Sequence, residues 1–184
     1  MKFIPQSIPD VFLIKPKIYN DNRGYFYETF RKNLLENIIG YRINFCQDNE
    51  SKSTKGVIRG LHYQIGSQSQ SKLVRVICGR VLDVAVDIRK SSPTFGQHVA
   101  IELSSSNKHQ LFIPRGFAHG FIVLSDTARF AYKVDNYYSP EHDRGIAFND
   151  EDIGIKWQIP DVNMNFSEKD KILPKLKNAI DLFD

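Results

Sequence analysis

Residues 72–89 read KLVRVICGRVLDVAVDIR, two runs rich in β-branched and aliphatic residues parted by a single glycine, Gly79. In the second run Leu82, Val84, Val86 and Ile88 fall on one face of a strand, and Asp83, Asp87 and Arg89 on the other. With residues 72–77 before the glycine, the pattern predicts a hairpin. Turn chemistry recurs at a similar cadence along the chain, in Asn20-Asp21-Asn22-Arg23-Gly24, Ser91-Ser92-Pro93 and Ser104-Ser105-Ser106-Asn107. Short strands at such spacing mark an all-β sandwich or barrel, whose closure hides strand edges and leaves a mouth of ligand size. Helical patterning is confined to residues 31–38, stopped by Gly40, and to residues 174–182, with Pro174 near the first turn.

The chain has 184 residues, enough for one well-filled core, and residues 1–184 are read as a single domain. An apolar fraction of 41% and thirteen Phe exclude general disorder. The formal charge of +4 is spread without a basic block, so a small anionic ligand fits better than nucleic acid. The N-terminus is broken by Pro5, Pro9 and Asp10 before a signal core can form, and no run has the length of a membrane helix; the expected location is the cytoplasm. Cys46 and Cys78 lack metal or redox spacing, and both are expected to be buried, reduced thiols.

Two segments place a histidine on an apolar strand: Gly56-Val57-Ile58-Arg59-Gly60-Leu61-His62-Tyr63-Gln64 and Ile113-Pro114-Arg115-Gly116-Phe117-Ala118-His119-Gly120-Phe121. Alternation puts His62 and Gln64 on one side, the interior of a barrel, while strict pleating turns Arg59 away. Cooperation between Arg59 and His62 therefore requires a bulge or kink at Gly60. A single strand histidine is more often a hydrogen-bonded structural group than a catalyst. Tyr132 carries a phenolic proton but is also an ordinary packing residue. Lys72 suits an oxyanion or a solvated strand end. Asp170, in Ser167-Glu168-Lys169-Asp170, suits a helix start or an orienter of His62, with Asp83 and Asp87 as competing partners. Spacing alone does not choose.

The paired segments resemble the two motifs of the cupin superfamily, with the second as Pro-x-Gly-x-x-His. Metal-binding cupins carry His-x-His in the first, where this chain has His62-Tyr63-Gln64. More closely, the chain resembles the dTDP-4-dehydrorhamnose 3,5-epimerases, metal-independent cupins. The resemblance is carried by Asp21-Asn22-Arg23-Gly24-Tyr25-Phe26-Tyr27-Glu28, Gln47-Asp48-Asn49, the two histidine segments, Lys72-Leu73-Val74-Arg75-Val76, the run from Val86 to Gly96, and Tyr132-Lys133.

The resemblance implies a jelly-roll barrel (a double-stranded β-helix) with a few short peripheral and C-terminal helices, forming a homodimer. It implies inversion of C3 and C5 in a nucleotide-linked 4-keto-6-deoxyhexose. His62 would be the base, Tyr132 the acid, Asp170 the group holding His62, and Lys72 the stabiliser of the enolate oxygen. Arg23, Phe26, Glu28, Gln47, Asn49, Arg59, His119, Tyr138, Asp143 and Lys169 would contact substrate, with Tyr138 stacking on the base. Family members commonly have Glu in place of Asp143. No metal or redox cofactor is implied, because the C4 ketone already acidifies both neighbouring C–H bonds. The alternatives are an epimerase acting at one centre or on another nucleotide-sugar, a metal-dependent cupin, and a silent sugar-nucleotide binder.

Overall fold

The computed structural model describes residues 1–160 and 163–184. Its strands run in the order β1 (Lys2–Pro5), β2 (Phe12–Lys15), β3 (Tyr19–Asp21), β4 (Gly24–Phe26), β5 (Gln47–Thr54), β6 (Ile58–Gln64) and β7 (Lys72–Cys78). They continue as β8 (Arg80–Asp87), β9 (His98–Ser104), β10 (Gln110–Ile113), β11 (Phe117–Val123), β12 (Thr127–Val134) and β13 (Asp143–Gly145). Helix α1 (Lys32–Ile39) precedes β5, and α2 (Glu168–Lys171) follows β13. A six-stranded sheet ordered β1-β2-β10-β7-β12-β5 faces a five-stranded sheet ordered β13-β6-β11-β8-β9. Every pairing within them is antiparallel, which gives the all-β sandwich that the turn cadence predicts and the jelly roll that the family resemblance implies.

The expected hairpin of residues 72–89 does not form. β7 pairs with β10 and β12, whereas β8 pairs with β11 and β9. Gly79 carries the chain from one sheet to the other at φ 79°, and a Cβ there would lie 2.0 Å from the Thr127 carbonyl oxygen. Two adjacent strands and one glycine are compatible with either connection. Partners from distant segments decide it.

One core lies between the sheets and takes Val74, Val76, Leu111 and Phe130 from one, and Val81, Ala85, Phe117 and Phe121 from the other. A second packs Leu82, Val84, Val86 and Ile88 beneath Trp157, Leu176 and neighbouring residues of the C-terminal segment. β8 is thus buried on both faces, and the face that carries Asp83 and Asp87 points inward. A third cluster joins Leu35 and Ile43, around α1, to Ile14, Leu73 and Phe112 on the outside of the six-stranded sheet.

α1 ends at Gly40 in the left-handed conformation, as its sequence predicts. The expected helix over residues 174–182 is instead one 3₁₀ turn, Leu176–Asn178. Short helices are costly to nucleate, and the backbone groups here bond to the barrel: Ala147 donates to the Pro174 carbonyl and Lys90 to that of Phe183. Cys46 is half-buried but Cys78, at the end of β7 beside the turn, is exposed, which corrects the expectation of burial. Among the described residues no helix is long and apolar enough to cross a membrane.

β6 carries the irregularity that Arg59 requires. Against β11, His119 pairs with His62 and Phe121 with Arg59, so three steps on β6 match two on β11. This bulge returns Arg59 and His62 to the same face. Gly60 sits there at φ 128°, and a Cβ on it would stand 2.5 Å from Gly120 Cα, so the two glycines permit the close approach of the strands. The Gly60–Leu61 peptide is cis.

Candidate active site

The inner faces of β5, β6, β11 and β12 open on a cavity of about 540 Å³, lined by Asn49, Arg59, His62, Lys72, His119 and Tyr132, with Tyr138, Asp143 and Asp170 toward the C-terminal half. β5 has no apolar residue, but it pairs with β12 through its whole length, so alternate residues Gln47, Asn49, Ser51 and Ser53 turn inward as a polar stripe. Ser53 Oγ accepts from Arg59 Nε at 3.1 Å. Gln47 donates to Asn49 and accepts from the Tyr138 amide.

His62 Nε2 lies 2.6 Å from Asp170 Oδ1. The Ser167 hydroxyl accepts from the Asp170 amide, so one four-residue motif both starts α2 and delivers a carboxylate to His62. Burial pushes the Asp170 carboxyl upward, but hydrogen bonding and charge from His62, joined by Ser167, hold it below its ordinary value. The competing carboxylates are committed elsewhere: Asp83 to His119, and Asp87 to Arg89, Ser92 and Thr94.

Lys72 is buried and donates to the His62 carbonyl oxygen at 3.2 Å. Burial lowers its pKa to about 8, against the opposing charges of Asp143 and Asp83. Burial raises the Tyr132 phenol above its ordinary value, with Arg59 opposing and Asp143 reinforcing. The site therefore gathers an imidazole with its carboxylate, a protonated phenol and a dry ammonium around one volume, the groups that proton transfer beside a carbonyl calls for. Gln64 is occupied otherwise: its amide donates to the carbonyls of Gln68 and Tyr137 and accepts from the Ser139 amide, anchoring the loop of Tyr138.

A model of the family described as dTDP-4-dehydrorhamnose 3,5-epimerase matches residues 5–178. The chain belongs to the dTDP-4-dehydrorhamnose 3,5-epimerase family. Among its relatives, the dTDP-4-dehydrorhamnose 3,5-epimerase of Shigella flexneri is 54% identical over 170 residues, covering 92% of this chain and 93% of that protein. The enzyme of the same name from Salmonella typhimurium is 51% identical over 183 residues, 98% of each chain. A crystal structure of dTDP-6-deoxy-D-glucose-3,5-epimerase from Legionella pneumophila, in complex with dTDP-4-keto-L-rhamnose, superposes with a TM-score of 0.93 at 48% identity, covering 97% of this chain and 94% of that one.

Not all residues that the family resemblance nominates come together. Lys169 bonds Asp143, which also accepts from the Tyr138 hydroxyl at 3.1 Å, so these three form a cluster beside the cavity. Gln47 touches the site through Asn49 and Tyr138. Arg23, Phe26 and Glu28 do not line the cavity. Arg23 pairs with Asp21 at 2.6 Å, Phe26 is 68% exposed on the β3–β4 hairpin, and that hairpin joins neither large sheet. Glu28 faces Arg31. Asp83 and Asp87, which spacing left open as partners of His62, serve His119 and Arg89 instead, and Asp83 was not among the nominated site residues. Its alternation with Val81 and Ala85 marks an inward position, but the histidine beside it comes from another strand.

Proposed function

We propose that the chain is a cytoplasmic, homodimeric dTDP-4-dehydrorhamnose 3,5-epimerase, an isomerase that inverts C3 and C5 of dTDP-4-keto-6-deoxy-D-glucose on the way to dTDP-L-rhamnose. The observation that carries this reading is the His62–Asp170 pair sharing a cavity with Tyr132 and Lys72, in a chain of this family. His62 removes the proton from the carbon next to the C4 ketone, and the electron pair moves onto the C4 oxygen as an enolate. The Lys72 ammonium stabilises that oxygen. Asp170 stabilises the imidazolium and fixes its orientation. Tyr132 then protonates the carbon from the opposite face, the ketone re-forms and the centre is inverted. Proton exchange with solvent resets both groups before the second centre reacts.

Arg59, Asn49 and His119 hold the substrate from the barrel wall, and Gln47, Asp143 and Lys169 from the mouth. Tyr138 stacks on the base, a role that its 57% exposure beside the cavity supports. Arg23, Phe26 and Glu28 are assigned to the cavity of the second copy. The exposure of Arg23 and Phe26 on a hairpin outside both sheets, and of Glu28 just beyond it, supports that assignment and the dimer.

The test is incubation with dTDP-4-keto-6-deoxyglucose in deuterated water, followed by NMR. Deuterium entering both C3 and C5 is the expected result, and His62→Ala should abolish it while dTDP affinity persists. Label at one centre alone would make the chain a single-centre epimerase. Exchange undiminished in His62→Ala would remove His62 from its role.

A further inference from the structure

A second carboxylate–imidazole pair stands at the cavity, His119 lining it and Asp83 buried behind it, and the reaction as drawn leaves this carboxylate unused. Asp83 lies in the middle of β8 with no exposure, opposite Phe121 of β11. His119, two residues along β11 from Phe121, shares that inward face and stands directly opposite His62 on β6. Asp83 Oδ1 lies 2.9 Å from His119 Nε2, while Asp83 Oδ2 has no hydrogen-bond partner among the described residues. The neighbours of Asp83 on its face, Val81 and Ala85, belong to the apolar core. A carboxylate in such surroundings is costly without a partner; its hydrogen-bond partner here is one imidazole, with the Lys72 charge nearby.

A carboxylate only accepts, so the proton between the two groups belongs to Nε2. Burial keeps His119 below its ordinary pKa even against the Asp83 charge, and Lys72 and His62 add to the lowering. The ring is then neutral, with a lone pair on Nδ1. Such an atom has nothing to give a diphosphate oxygen. Near the reacting carbons of a 4-keto-6-deoxyhexose, the groups able to donate to it are the hydroxyls at C2 and C3.

We propose that Asp83 is a positioning residue that locks His119 as a hydrogen-bond acceptor, so that Nδ1 receives a sugar hydroxyl and holds the ring beside His62. The proposal rests on the epimerase reading and adds to it the group that His119 grips.

Nitrogen NMR of the ring-labelled wild-type protein with dTDP bound reports which nitrogen of His119 carries the proton. Protonated Nε2 and bare Nδ1 are expected; a protonated Nδ1 overturns the proposal, and this measurement requires no variant to fold. Asp83→Asn removes the constraint, because an amide donates as readily as it accepts. Its kcat/KM for dTDP-4-keto-6-deoxyglucose should fall about 10- to 100-fold. Affinity for dTDP should stay within about twofold, and the same change made in His119→Ala should cost less than about threefold. An unchanged kcat/KM, or an equal loss in both backgrounds, would show that Asp83 does not act through His119. Wild-type protein that exchanges no deuterium into the sugar overturns the epimerase reading together with the hydroxyl contact, whereas a protonated Nδ1 with exchange intact overturns this proposal alone.

Discussion

Lys72 illustrates how position changes the chemistry of a side chain. In sequence it stands at the start of an apolar run, where a solvated ammonium is the default. In the fold Asp83 from β8, Asp143 from β13, His62 from β6 and His119 from β11 surround it, and burial brings its pKa to about 8. The charged form is the one that stabilises an enolate, so the Lys72 contribution should be complete below about pH 8 and turnover should decline as pH rises through it. A pH–rate profile checks this, and Lys72→Met should be slow throughout and lack that alkaline limb. Tyr132 adds no competing loss there, since burial raises its pKa and the phenol keeps its proton. Tyr132→Phe should leave abstraction by His62 intact and impair delivery from the far face. Deuterium washed in without full inversion is the expected NMR pattern, and unchanged turnover would count against the acid role. His62, Tyr132 and Lys72 were all legible as candidates, and the Ser167–Asp170 motif was legible as a helix start. That Asp170 rather than Asp83 or Asp87 faces His62 came only from the family resemblance, because their separations in sequence say nothing of which strand or turn stands beside it.

At the scale of elements, the bulge of β6 was anticipated as the condition for Arg59 and His62 to share a face, and the register supplies it. Gly60→Ala tests its importance. The residue has φ 128°, and a Cβ would meet the Gly120 backbone at 2.5 Å, so the substitution should cost more than about 1 kcal/mol and lower Tm. Activity should fall further than the stability loss explains, as the shared face of Arg59 and His62 is disturbed. β5 was illegible as a strand, since QDNESKST contains almost nothing that favours a sheet by itself. Eight registered pairs with β12 make it one, and the cavity makes use of its polar inner face. The β7–β8 pair failed in the opposite direction: both strands were legible, but their pairing was not.

For the whole molecule, the C-terminal segment closes the outer face of the five-stranded sheet and also brings Asp170 to the cavity. Leu176, buried in that contact, should cost about 2–5 kcal/mol when replaced by alanine, read as a lower denaturant midpoint. Assembly has its own test. If the β3–β4 hairpin completes the neighbour's site, Arg23→Ala and His62→Ala chains, each nearly inactive, should regain roughly a quarter of wild-type activity when mixed and re-associated, since half the dimers then carry one intact site. No recovery would return Arg23 to a role within its own chain. Most strands, the turn cadence, the two histidine segments and the need for a bend at Gly60 were determined by the sequence alone, because alternation and backbone sterics act over a few residues. Which strands pair, which face of β8 turns inward, and which carboxylate serves which histidine were decided only by the tertiary structure. Those outcomes depend on packing and hydrogen bonding between segments as far apart as His62 and Asp170, and no local pattern encodes them.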